Sequence, residues 1–320
     1  MAGDQRQDAG DGLYPPLEPY HRDWLEVGGG HRIYVEQSGN PDGFPVLFVH
    51  GGPGSHCRPA HRRFFDPDKF RIILFDQRGC GQSLPRGLLE QNTTAHLVAD
   101  MEALRHYLGV QRWLLFGGSW GSTLSLAYAI LHGSRVAGMI LRGVFLGGRA
   151  EVDWFLYGVR SIIPEAWAEF TRDVHEPLVQ HYRRLIDDPS ERIAATAARR
   201  WSTYESKVMD PASTSASAGQ APAEEVASVR VQLHYLAHDF FLRPGELLDN
   251  LWRIRSCPVI IVQGRMDMVC PALTALAVAQ ALESVELSMV ENGGHSALQP
   301  QMAAALCAAT RHMRDRLRAE

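Results

Sequence analysis

Leu114-Leu115-Phe116-Gly117-Gly118-Ser119-Trp120-Gly121-Ser122 is an apolar run that stops at a serine set between glycines. Leu114 to Phe116 has the character of a buried strand. Ser122 to Ile130 carries small and apolar residues on most faces of a helix. A strand-to-helix turn this sharp forces its central residue into a strained backbone conformation, and glycines at 117 and 121 remove the side chains that would collide there. The expected result is a serine hydroxyl standing proud of a sheet, with a helix N-terminus just behind it. Backbone N–H groups and the helix dipole then favour negative charge at that point. A bare G-x-S-x-G is also an ordinary glycine-rich turn, so its surroundings must decide.

Those surroundings repeat one pattern. Trp24 to Val27 and Arg32 to Glu36 read as two antiparallel strands joined through Gly28-Gly29-Gly30. Pro45 to Val49 is a short, wholly apolar run, as for a strand covered on both faces, and it ends in His50-Gly51-Gly52-Pro53-Gly54. Phe70 to Phe75 ends in Asp76-Gln77-Arg78-Gly79-Cys80-Gly81. A helix from about Thr94 follows, with Leu97, Met101, Leu104 and Leu108 on one stripe, Asn92 or Thr93 as cap and Gly109 as stop. Ala137 to Phe145, Pro258 to Val262 and Val285 to Val290 complete the strands, a helix starts from Pro271, and an amphipathic helix bearing Met302, Leu306, Met313 and Leu317 closes the chain. Alternation of this kind predicts an α/β fold: a mostly parallel central sheet with helices on both faces. Ligands in such sheets sit beyond the carboxyl ends of the strands, where His50, Asp76 and Ser119 all stand.

From 147 to 244 the strand pattern disappears. Trp154, Trp167 and Trp201 and Arg/Glu-rich stretches predict a helical cap inserted between two parts of the core, 13–146 and 245–320. Residues 211–224 are low in complexity and read as a mobile loop, and 1–12 as a disordered leader without the apolar segment of a secretory signal.

Composition narrows the class. The 320 residues are 45% hydrophobic and 21% charged, with a net charge of −4, which gives no electrostatic reason to expect nucleic acid or an anionic membrane as partner. No apolar run approaches the length of a membrane span. Five scattered cysteines without C-x-x-C pairs read as reduced thiols of a cytoplasmic protein. No P-loop and no dinucleotide fingerprint is present, so no cofactor is expected. His234 and His238, four apart and followed by Asp239, have a metal-like spacing, but Tyr235 stands where a zinc protease places its glutamate and no third ligand is evident. Packing is the better reading, and no metal is expected.

A serine hydroxyl needs a base to remove its proton, and the base needs a third group to fix its tautomer. Asp267 follows one strand and His295 the next, so the catalytic set reads Ser119, Asp267, His295. The backbone N–H of Trp120 and that of Gly52 are the expected oxyanion donors. His50 is expected to brace the glycine-rich loop, and Asp76 and Arg78 to form an ion pair or brace a turn. The order serine, acid, histidine is that of the α/β-hydrolases. HGGPG (50–54), DQRGCGQS (76–83), GGSWGSTLSLAYA (117–129), LRGVFL (141–146), GRMDMVCP (264–271) and GGHSA (293–297) further resemble the proline iminopeptidase family of that fold. The resemblance covers nearly the whole core. It implies metal-independent release of N-terminal proline from small peptides through an acyl-enzyme, by a monomer or small homo-oligomer.

The resemblance also implies a substrate-binding set of Glu205, Gln232, Arg142, Phe145, Phe155, Tyr235 and Leu236. Trp201-Ser202-Thr203-Tyr204-Glu205 is similar to the family's W-x-x-W-E, which makes Glu205 a carboxylate for the substrate's imino group. Val231 to Leu236 departs from the family's I-E-x-H-Y-F: Gln232 replaces the second acid and Leu236 an aromatic, while Phe155 stands where tyrosine is common. Losing one charge-assisted hydrogen bond, about 1.5–3 kcal/mol, lowers turnover about 10- to 100-fold. Two alternatives therefore stand beside the peptidase: an amidase or esterase acting on a non-peptide metabolite, and a non-hydrolytic binder on the same fold.

Overall fold

A computed structural model describes residues 12–211 and 221–319 of the chain. The strands are β1 (His21–Glu26), β2 (Arg32–Gly39), β3 (Phe44–Val49), β4 (Phe70–Phe75), β5 (Trp113–Ser119), β6 (Val136–Val144), β7 (Val259–Gly264) and β8 (Val285–Val290). They form one eight-stranded sheet in the order β1-β2-β4-β3-β5-β6-β7-β8. β2 runs antiparallel to both β1 and β4, and every pairing from β4 to β8 is parallel. Every strand read from the sequence is present, with ends displaced by a few residues.

The two-residue period of a strand divides the core into two layers. Leu47 and Val49 of β3, Ile73 and Phe75 of β4 and Leu115 of β5 join one buried cluster. Their neighbours Val46, Phe48, Ile72, Leu74, Leu114 and Phe116 join the other. Helices α1 (Thr94–Tyr107), α2 (Trp120–His132), α8 (Glu246–Asn250) and α9 (Ala272–Ala281) cover the first face. The last helix, α10 (Pro300–Ala319), covers the second through Met302, Leu306 and Met313. Strands walled on both sides must be apolar throughout, which is why β3 and β5 show no alternation in sequence. The edge strands β1 and β8 do alternate, and they carry Arg22, Asp23, Glu26 and Glu286, charges that discourage pairing with another chain.

Between β6 and β7 lie α3 (Arg149–Leu156), α4 (Pro164–Phe170), α5 (Leu178–Ile186), α6 (Glu191–Met209) and α7 (Ala223–Ala237). They share a buried cluster of their own, in which the Phe170 ring meets those of Tyr182, Trp201 and Tyr204, and Tyr182 also meets Trp201. Most of the segment expected to be a mobile loop, and all but the last residue of the expected leader, fall outside the described residues. The loop's expected end needs correction: Ala223 and Glu224 already belong to α7, because Pro222 stands at its N-cap and acidic residues favour a first helical turn. No helix among the described residues is long and apolar enough to cross a membrane.

Candidate active site

β5 ends on Ser119, whose φ of 56° and ψ of −127° put a non-glycine residue in the strained region that a nucleophile turn requires. The flanking glycines are there for contact. A Cβ on Gly121 would lie 2.1 Å from the Val49 carbonyl oxygen, and one on Gly117 would lie 2.3 Å from that of Gly121. The serine is thus the last residue of the strand and the N-cap of α2, whose first residue, Trp120, lies two positions ahead of the helix start read from sequence.

Asp267 and His295 arrive from the loops after β7 and β8. His295 Nδ1 donates to Asp267 Oδ2 at 2.8 Å and lies 3.0 Å from Oδ1. Asp267 Oδ1 also accepts from the Val269 and Cys270 amides, which aims the carboxylate. With its hydrogen on Nδ1, the imidazole presents the Nε2 lone pair outward. Gly143, at φ +52°, lies beneath the pair: a Cβ there would stand 3.0 Å from Asp267 Oδ2 and 3.2 Å from His295 Nδ1.

Ser119 and His295 line one cavity of about 390 Å³, but no hydrogen bond joins them among the described residues. His295 Nε2 instead meets Arg142 Nη1 at 3.2 Å, and the same Nη1 donates to the His295 carbonyl at 2.7 Å. The Ser119 side chain stands within hydrogen-bonding reach of the Cys270 thiol, whose pKa burial raises. Catalytic hydrogen bonds are often loose before substrate arrives, so this geometry is compatible with proton transfer once the groups close up.

The loop after β3 forms the facing wall. His50 Nε2 accepts from the Gln77 amide at 2.9 Å, the Gln77 side chain donates to the His50 carbonyl, and Trp120 Nε1 donates to Gln77 Oε1. Burial pushes His50 down to about 4, so it stays neutral and braces the loop. Asp76 and Arg78 do not pair with each other. Asp76 accepts from the Cys57 and Gln82 amides, whereas Arg78 forms a buried pair with Asp100. Gly52 and Gly51 line the cavity, and a Cβ on Gly51 would stand 3.4 Å from Ser119 Cβ.

Helices α6 and α7 supply the far end. Trp201 Nε1 donates to Gln232 Oε1 at 2.8 Å, and Gln232 Nε2 donates to Glu205 Oε1 at 2.5 Å. That relay sets the amide's orientation, because only oxygen can accept from the indole. Burial pushes the Glu205 carboxyl up to about 7, against the lowering effect of Gln232 and Trp201. Phe145, Phe155 and Leu236 line the same cavity. Tyr235 corrects the sequence reading: it is fully buried behind Trp120 and outside the cavity lining, with its hydroxyl donating to Asn92 Oδ1 at 2.9 Å. Its phenol is needed there to satisfy a buried amide, which removes it from the substrate. His234 contacts the Asn92 carbonyl and His238 that of His234, so the metal-like spacing belongs to packing.

Several lining residues escaped the sequence reading: Arg58, His61, Phe240 and Cys270. Arg58 and His61 follow the HGGPG loop without periodicity, and only their place beyond a strand's carboxyl end could have marked them.

Sheet order, strained serine and the aspartate–histidine pair define an α/β-hydrolase-fold protein, and that family's profile matches residues 45–299. Among solved structures, the esterase RhEst1 from Rhodococcus sp. ECU1013 superposes with a TM-score of 0.58 at 18% identity over 92% of this chain and 99% of that one, a likeness of fold alone. Sequence relatives are nearer: a probable proline iminopeptidase of Leptolyngbya boryana is 45% identical over 93% of this chain and 95% of its own length. The proline iminopeptidase of Arabidopsis thaliana is 43% identical over 94% and 82%. The chain belongs to the proline iminopeptidase family.

Proposed function

We propose that the protein is a serine aminopeptidase that releases N-terminal proline from short peptides in the cytoplasm, with residues 147–244 as its cap. The observation that carries this reading is the Glu205 carboxylate, held by Gln232 in the same cavity as Ser119 and His295. A carboxylate there attracts the cationic imino group of a substrate whose carbonyl lies over the serine.

In this reading His295 Nε2 takes the Ser119 proton as the hydroxyl oxygen attacks the prolyl carbonyl. Asp267 holds the imidazole by its Nδ1 hydrogen and stabilises the imidazolium. The Trp120 and Gly52 amides receive the oxyanion. The imidazolium then protonates the leaving nitrogen as the C–N bond breaks, leaving a prolyl ester on Ser119. Water, deprotonated by His295, cleaves the ester and releases proline.

Gln232 favours a second reading on the same machinery. Its amide stands where the family resemblance places an acid, and it spends one N–H on Glu205. A site with one carboxylate grips a cation less tightly, which suits a neutral amide or ester of a non-peptide metabolite. The test is a panel of prolyl, alanyl and simple ester chromogenic substrates, assayed with the native protein and Gln232→Glu. Efficient prolyl cleavage by the native protein supports the peptidase. A rise of about tenfold or more in Gln232→Glu, from a poor start, supports the diverged hydrolase. Covalent labelling by a fluorophosphonate, lost in Ser119→Ala, is expected under both; no labelling of the native protein would point to a non-hydrolytic binder.

A further inference from the structure

The cavity carries charge of both signs. Its lining holds the Glu205 carboxylate of α6 and also Arg58, His61 and Arg142, the two guanidinium charges being close enough to act on His61. No ion pair is recorded for Arg142 or Arg58 among the described residues, and Arg142 Nε is buried with no hydrogen-bond partner. The carboxylates nearby are committed elsewhere. Asp267 is held by His295, Asp76 by the Cys57 and Gln82 amides, and Glu151 by the Leu146 and Gly148 amides. The resulting positive field is felt by His61, which burial and the charges of Arg58 and Arg142 push down to about 3. His61 Nδ1 accepts from the Arg58 amide at 3.0 Å, so its hydrogen sits on Nε2 and that nitrogen is a neutral donor. The Asp267 charge offsets part of the cost of burying the Arg142 guanidinium without bonding it, so a ligand carboxylate can still supply the direct contact that Nε lacks.

Reaction geometry says which part of the substrate meets it. The nitrogen expelled from the prolyl carbonyl carbon must reach His295 Nε2 to be protonated, and Arg142 Nη1 lies 3.2 Å from that same atom. In a dipeptide the terminal carboxylate is two bonds from the leaving nitrogen, through one Cα. A guanidinium in contact with Nε2 is therefore within reach of that carboxylate. We infer that Arg142, with Arg58 and the Nε2–H of His61, forms a subsite for the free carboxylate of the leaving amino acid, which makes dipeptides the preferred substrates. The inference rests on the aminopeptidase reading and specifies its leaving side. A carboxylate that draws Arg142 aside also frees Nε2 to accept the serine proton.

The experiment compares prolyl-glycine with prolyl-glycinamide, which has the same acyl group and leaving nitrogen but no terminal charge. Proline release is quantified by chromatography at one fixed pH. The native protein is expected to favour the acid by about 10- to 100-fold in kcat/KM, the equivalent of one charge-assisted contact. In Arg58→Gln and in Arg142→Lys the acid-to-amide ratio is expected to fall toward one. The ratio, unlike the absolute rate, is not moved by general damage to the His295 contact. Equal kcat/KM for acid and amide in the native protein, or a ratio unchanged in both variants, overturns the subsite while leaving the aminopeptidase standing. Release of no proline from either compound, with fluorophosphonate labelling intact, overturns the aminopeptidase reading and the subsite with it.

Discussion

The relay from Trp201 through Gln232 favours the charged form of Glu205, yet burial outweighs it and pushes the carboxyl up to about 7 from its ordinary 4.5. Burial is the larger cause, and the sign of its effect on stability follows. Below about pH 4.5 both folded and unfolded chains hold the proton and nothing is lost. Between about 4.5 and about 7 the unfolded chain releases it while the folded chain keeps it, so stability falls as pH rises, then levels off. Glu205→Gln removes that penalty. Its thermal midpoint is expected to exceed that of the native protein at pH 8 and to match it near pH 4, as read by calorimetry; equal differences at both pH values would contradict the burial argument. The same ionisation governs binding, because an imino cation meets a fully charged partner only above about pH 7.

At the scale of elements, β5, its turn and α2 are held together by the absence of side chains. The Val49 carbonyl at the end of β3 lies where a Gly121 Cβ would go, only 2.1 Å away. Gly121→Ala must therefore push β3 from the elbow and is expected to cost more than about 4 kcal/mol, seen as loss of soluble protein or a collapsed urea midpoint. Gly133, at the end of α2, is the control: its φ is −53° and a Cβ would find Ile254 Cγ2 at a comfortable 3.7 Å. Gly133→Ala is expected to be neutral or to stabilise by up to about 1 kcal/mol. The glycines of the elbow were legible because a serine between them has one well-defined geometry. The start of α2 was not, since Trp120 and Gly121 are poor helix signals and become helical through packing against Tyr235 and Val49.

Across the whole molecule, the helical insertion is seated on the core at points that also build the site. Trp154 Nε1 of α3 donates to the Met268 carbonyl at 2.7 Å, in the loop that carries Asp267. A Cβ on Gly54 would lie 2.2 Å from the Ser228 carbonyl oxygen, so α7 rests directly on the loop after β3. Trp154→Phe keeps an aromatic ring but gives up the pyrrole half of the indole, and with it one hydrogen bond worth about 0.5–1.5 kcal/mol. The expected outcome is a rise in KM for a prolyl peptide of about 3- to 10-fold with a smaller change in kcat, and faster amide exchange in α3. A kcat effect larger than the KM effect would mean the bond supports Asp267 rather than the insertion's seat.

Residue order alone reports what repeats along a strand or helix. Apolar runs and the two-residue period report local burial, which is why the eight strands, the elbow at Ser119 and the chain order Ser119, Asp267, His295 could be read directly. Which side chains from distant loops share a cavity follows from the folded packing instead. Arg142 on His295 Nε2, Arg58 and His61 in one cavity with Glu205, and Tyr235 turned away to Asn92 all join segments far apart in the chain. No periodicity encodes them, because each depends on how the α3–α7 insertion and the strand-end loops pack against one another rather than on any residue's own preference.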